Sequence, residues 1–127
     1  MLEKRNFYIN GEWVSPSEPN DYHVINPSTE EPCAVISLGG QADTDAAVAA
    51  AKAALPGWMA TPPEDRIALL EKLLEVYKSR AEDLATAMST EMGAPIEMSR
   101  SSQVGAGTWH LSNFIKAAKE FKFEQPL

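Results

Sequence analysis

A single thiol, two histidines, a Gly-x-Gly pair and two neighbouring aspartates are the groups through which this chain could do chemistry. Cys33 is the one cysteine. A cysteine attacks as its thiolate, and Cys33 follows Pro32 in an extended stretch, with no helix N-terminus or basic neighbour to lower its pKa. It reads as a small hydrophobe. His23 and His110 are far apart and share no Cys or carboxylate at metal-ligand spacing, so a zinc site is not expected. Gly105-Ala106-Gly107 begins like a dinucleotide fingerprint, but His110 stands where the third glycine belongs and a helix, not a strand, precedes it. Asp43 and Asp45 fit the positive end of a helix better than a paired acid and base. Trp58 and Trp109 could stack on a ligand, but their positions near a helix end and inside an amphipathic helix predict core residues. The residue types alone form no catalytic constellation.

The elements that would hold these groups are legible. Phe7-Tyr8-Ile9 and Trp13-Val14 flank Asn10-Gly11, a pair that tolerates positive φ and predicts a type I′ hairpin. Ser15 to Asp21 is loop material. A second strand pair, Tyr22 to Ile25 and Ala34 to Leu38, is joined by the turn Asn26-Pro27-Ser28-Thr29, and Gly39-Gly40 closes the strand-rich third. From Asp43, Val48, Ala51 and Leu55 repeat at helical spacing, with Asp43 or Thr44 as cap and Pro56-Gly57 as the expected stop. Thr61 with Glu64 predicts a capping box with Pro62 at the first helical position, opening a helix with the stripe Ile67, Leu70, Leu74 and Tyr77. Its wet side carries Arg66, Glu71, Lys72 and Glu75. Ser79 with Glu82 predicts a third start, and Gly93 with Pro95 its end. A fourth helix runs from Pro95 to about Phe121, although Ser99, Ser101, Ser102, Gly105 and Gly107 are poor helix formers, which points to close approach of a neighbour or ligand.

The 127 residues allow one ordinary domain. Net charge is −7, which argues against a phosphate-tracking surface and nucleic acid as partner. The longest apolar run, Ala46 to Ala51, falls far short of the ~20 residues a membrane span needs. No apolar segment follows the basic pair near Met1, so export is not expected and the cytoplasm is the default. Of the 44% apolar residues, 18 alanines bury little surface. The core is therefore thin, and further polypeptide or a partner is expected to complete it.

Several stretches in order resemble the opening of the NAD(P)-dependent aldehyde dehydrogenases. They are Phe7-Tyr8-Ile9-Asn10-Gly11-Glu12-Trp13-Val14, Ile25-Asn26-Pro27-Ser28-Thr29-Glu30, Asp43 to Ala51 before Trp58, Arg66 with Leu69 to Leu74, and Glu91-Met92-Gly93-Ala94-Pro95. Glu30-Glu31 stands where Gly-Glu is usual, and Ala94 where Lys is common. The resemblance implies an α/β fold of which residues 1–127 are the N-terminal part of the coenzyme-binding domain: two short antiparallel strand pairs, then about four helices. It places the nucleophilic Cys, the catalytic Glu, the coenzyme-binding motifs and the oligomerisation strands in polypeptide beyond this chain, which alone is expected to bind no NAD or NADP and to be inactive.

In such a parent, a thiolate attacks the aldehyde, an Asn and a backbone N–H hold the oxyanion, hydride passes to NAD(P), and water activated by Glu frees the acid. Counting from Gly93-x-Pro95, the resemblance puts Ser102, Gln103 and Ala106 along the substrate tunnel. It also implies a monovalent cation held by backbone oxygens at Val24 and Ile25 with the Glu91 side chain. The expected partners are the rest of the polypeptide, an aldehyde and further copies in a dimer or tetramer. The alternative is a short binding module of the same ancestry without catalysis.

Overall fold

The computed structural model describes residues 1–126. The chain divides into two compact units: Met1–Ala60 with Thr90–Gly93, and Thr61–Ser89 with residues 94–126.

The first unit holds five strands, β1 (Leu2–Lys4), β2 (Phe7–Ile9), β3 (Glu12–Val14), β4 (Asp21–Asn26) and β5 (Glu31–Ser37), and helix α1 (Gln41–Met59). β2 and β3 pair antiparallel, Phe7 opposite Val14. Asn10 and Gly11 between them have φ of 54° and 82°, the two positive values a type I′ turn demands. β4 and β5 form the second antiparallel pair. The turn joining them is tied by Asn26, whose carbonyl accepts from the Glu30 N–H at 2.8 Å and whose side chain accepts from the Ser28 N–H at 2.9 Å. A third strand was not foreseen: β1 lies parallel to β5, Leu2 opposite Ala34, giving the order β1-β5-β4. Three residues with two charges carry no alternation for sequence reasoning to detect. Central β5 supplies the core, with Ala34, Val35 and Ser37 buried.

α1 buries none of its residues fully. Its small side chains Ala47, Ala50, Ala51 and Ala54 line a shallow groove with Tyr8, Ile9, Asn10 and Gly11 of the hairpin. At its start Gly40 is the N-cap, and Asp43 reaches back to accept from the Gly40 N–H at 2.9 Å and the Ser17 N–H at 2.8 Å. Pro56 does not stop the helix. Its ring removes one N–H but keeps a helical φ, so a final turn survives and ends with the Ala60 N–H on the Pro56 carbonyl at 3.2 Å.

The second unit is helical: α2 (Pro63–Ser79), most of α3 (Ala81–Met92), and a long helix whose first turn, α4 (Ile96–Met98), passes through a π turn (Ser99–Gln103) into α5 (Val104–Glu120). The start of α2 is one residue later than expected, with Pro62 as N-cap and Pro63 first in the helix. Two consecutive prolines allow either to lead, and the extended φ,ψ of Pro62 favours the second. Ser79 does not cap α3 either, because its hydroxyl donates to the Val76 carbonyl at 2.8 Å. α2 packs on α5 through half-buried Ile67, Leu70, Leu74 and Tyr77 against buried Val104 and Ile115.

Among the described residues five nonpolar residues are buried, while twenty large ones are exposed. The total accessible surface is 9556 Å². Two independent compact domains of half this mass would together expose about 8,100 Å². The excess confirms the thin core.

Candidate functional site

The long helix carries Ser102, Gln103 and Ala106, and its local sequence explains its irregular start. Pro95 precedes it as N-cap. The Ser101 hydroxyl donates back to the Glu97 carbonyl at 2.7 Å, the kind of local bond that competes with the regular ladder and bends helices. Ser99 is wholly buried and donates to Gln103 Oε1 at 3.3 Å. Arg100 fixes the turn from outside, its fork on Glu82 (Nε to Oε2 3.0 Å) and its Nη1 on Glu97 Oε1 at 2.6 Å. Those carboxylates raise the Arg100 pKa, and in return Arg100 holds the Glu82 carboxyl below its ordinary value. The widened turn thus sits between a buried polar pair and an ion-pair clamp.

This geometry separates the three residues. Gln103 is half-buried and anchored by Ser99, whereas Ser102 and Ala106 are exposed. The two nearby glycines also part company. A Cβ at Gly107 would overlap the Tyr77 hydroxyl, which donates to the Val104 carbonyl at 3.1 Å, whereas a Cβ at Gly105 would meet nothing within 4 Å. Close approach of a neighbour therefore explains Gly107, and Gly105 faces open space.

Gly105-Ala106-Gly107 lies inside α5, where backbone N–H groups serve the helix ladder and cannot converge on a phosphate. This segment does not fit a dinucleotide cradle, and no hydride step is derived through it. Trp109 departs from the expectation of a core residue: it is 64% exposed, its ring edge-on to His110 at 4.9 Å between centroids. Trp58 is likewise 47% exposed. The residues that would cover a central indole are not among those described.

The residues named for a cation fall in the first unit. Between Val24 and Ile25 the register of β4 on β5 jumps, Val24 facing Ala34 and Ile25 facing Pro32, so Cys33 is the bulged residue. Pro32 has no N–H to give to β4. The Val24 carbonyl receives the Cys33 thiol at 3.3 Å, which ties that thiol to the bulge. Glu91 is exposed two residues before Gly93. Gly93 has φ +71°, and a Cβ there would come within 2.8 Å of Pro27 Cγ, so the end of α3 lies against the turn that follows Ile25. Among the described residues no three His, Cys, Asp or Glu side chains gather as metal ligands. The bulge and the π turn were both missed from sequence. The signal for the second was present: between Arg100 and Lys116 there is no Asp, Glu, Lys or Arg, an anomaly for an exposed helix.

Comparison with known proteins agrees with this geometry. The family model described as the aldehyde dehydrogenase family matches residues 13–126. A 3-succinoylsemialdehyde-pyridine dehydrogenase from a Pseudomonas species is 37% identical over 128 residues, covering 100% of this chain and 27% of that protein. The crystal structure of an aldehyde dehydrogenase from Bartonella henselae superposes with a TM-score of 0.98 at 54% identity, covering 100% of this chain and 27% of that one. Aldehyde dehydrogenase C from Pseudomonas syringae, a mutant complexed with NAD+ and octanal, gives a TM-score of 0.94 at 39% identity, covering 97% and 25%. The chain thus spans about a quarter of the length of these relatives. With the sequence match running from Trp13 to Pro126 and the same α/β backbone followed from end to end, the chain belongs to the aldehyde dehydrogenase family.

Proposed function

We propose that this chain is the N-terminal part of an enzyme that oxidises aldehydes to carboxylic acids with NAD or NADP. The observation that carries the reading is the family match over residues 13–126 in a chain about a quarter as long as its relatives. The thiolate nucleophile, the general base and the coenzyme-binding groups belong to the remaining polypeptide in this reading, and the chain contributes an outer layer of the coenzyme-binding domain. The bound coenzyme supplies the hydride acceptor. The assembled enzyme is a cytoplasmic homo-oligomer, dimer or tetramer. Its test is the reading frame beyond Leu127: the purified product of the whole frame should reduce NAD or NADP when given an aldehyde. A stop codon at that point, or a long product that turns over no aldehyde, overturns the reading.

Within that enzyme, Ser102, Gln103 and Ala106 border the substrate tunnel. The exposed, charge-free surface of Ser102 and Ala106 supports this, as does the anchoring of Gln103 by Ser99. An uncharged chain such as that of octanal, present with the Pseudomonas syringae relative, fits such a surface. A monovalent cation is held by backbone oxygens of Val24 and Ile25 with the Glu91 carboxylate. The missing ladder donor at Pro32 and the approach of Gly93 to Pro27 support that assignment. Anomalous scattering from a heavier alkali ion tests it: a peak beside these residues is expected, and its absence removes the site.

A further inference from the structure

We propose that Trp109 is a specificity-determining residue, an aromatic wall at the substrate entrance that selects aldehydes with uncharged, long-chain or aromatic tails. The inference rests on the reading that Ser102 and Ala106 border that entrance. Val104 and Ile115 are buried and Gly107 meets Tyr77, so these three mark the side of α5 turned to α2. At about 100° per residue, Ala106 falls on the opposite side, and Trp109, three residues on, lies within about 60° of it. Phe114, also exposed, is five residues beyond Trp109 and about 140° around the helix from it, so it does not share that strip.

The composition of the strip names the ligand. Charged residues make up 23% of the chain, yet from Ser101 to Ile115 there is none. A face meant for water carries charge, and this one offers a hydroxyl, a methyl, open space at Gly105 and a single broad indole. Small side chains leave width for a slender chain, and the indole adds stacking and dispersion contact for an apolar or aromatic tail. A carboxylate or ammonium tail would find no counter-charge there and would lose its hydration.

The test uses the full-length enzyme that carries this segment, with Trp109→Ala, Trp109→Leu and Ala106→Trp, and with octanal, benzaldehyde and propanal as substrates. The ratio of KM for octanal to KM for propanal is expected to rise about tenfold in Trp109→Ala, and less in Trp109→Leu, with kcat moving much less than this ratio. Benzaldehyde should follow octanal. If Ala106→Trp alters the ranking of substrates while both Trp109 variants keep the wild-type ratio, Trp109 has no such role and the entrance reading stands. If none of the three variants alters the ranking, both readings fall. Loss of all turnover, propanal included, in both Trp109 variants makes the indole a packing residue and also overturns the proposal.

Discussion

A single methyl group separates the two glycines of α5. At Gly107 the added carbon collides with the Tyr77 hydroxyl, so Gly107→Ala should destabilise the α2–α5 packing by about 1–3 kcal/mol. At Gly105 the space is open, so Gly105→Ala should stabilise the helix by about 0.5–1 kcal/mol. Denaturant titration of the two variants checks the opposite signs. Glu30 makes a similar point from the other side. It has φ of 60°, a left-handed conformation that costs a side-chain-bearing residue about 1–2 kcal/mol. Its place is the one where glycine is usual in the resemblance, so Glu30→Gly should raise the unfolding midpoint. Asp43 and Glu82 set the acid limb. Asp43 is lowered by the Gly40 and Ser17 N–H groups, and Glu82 by Arg100. Both are more acidic folded than unfolded, so the stability they add is complete above the ordinary carboxylate range, about pH 4–5, and is lost as pH falls through their lower folded values. Asp43→Asn and Glu82→Gln should each flatten stability against pH below about pH 4, measured by denaturant midpoints across an acid series.

Elements whose signal is local were legible. Asn10-Gly11 announces its hairpin because both positions need positive φ, and Gly93 announces the end of α3 because its φ of +71° admits few other residues. Gly93→Ala should be costly on two counts, the left-handed backbone and the 2.8 Å approach to Pro27. A loss of about 1–3 kcal/mol is expected, with Pro27→Ala in the same chain recovering the steric share. Elements defined by a distant neighbour were not legible. β1 exists because β5 offers an edge, and no pattern within Leu2-Glu3-Lys4 records that. The capping boxes failed for the same reason in miniature: Ser79 had the right type at the right spacing but a nearer acceptor at Val76. Of the candidate site, the helix that carries it was read from periodicity, and Ser102, Gln103 and Ala106 came from resemblance. The π turn depends on Ser99 and Gln103 meeting inside the helix and on an Arg100 clamp whose partner Glu82 is 18 residues away in sequence.

For the whole molecule, the dominant fact is uncovered nonpolar surface: Val48, Leu55 and Met59 on α1, Leu69, Leu73 and Val76 on α2, and Trp109 and Phe114 on α5 are all exposed. Such patches seek cover. The isolated 127-residue chain should therefore self-associate and melt with weak cooperativity, by sedimentation and by calorimetry. A sharp two-state melt of a monomer contradicts this. The alanine content had already predicted the thin core, and the family match, at a quarter of the relatives' length, supplies the reason. The π turn has a consequence of its own. Such a turn amounts to an ordinary helix with one residue inserted, so it sets the rotational phase of everything after it. Deleting Ser101 should leave a regular helix of nearly the same length but swing its downstream half by about 100°. Val104 and Ile115 would then leave their pocket. The insertion acts as a key cut to one lock, and the helix can be shortened by that residue only by abandoning its partner.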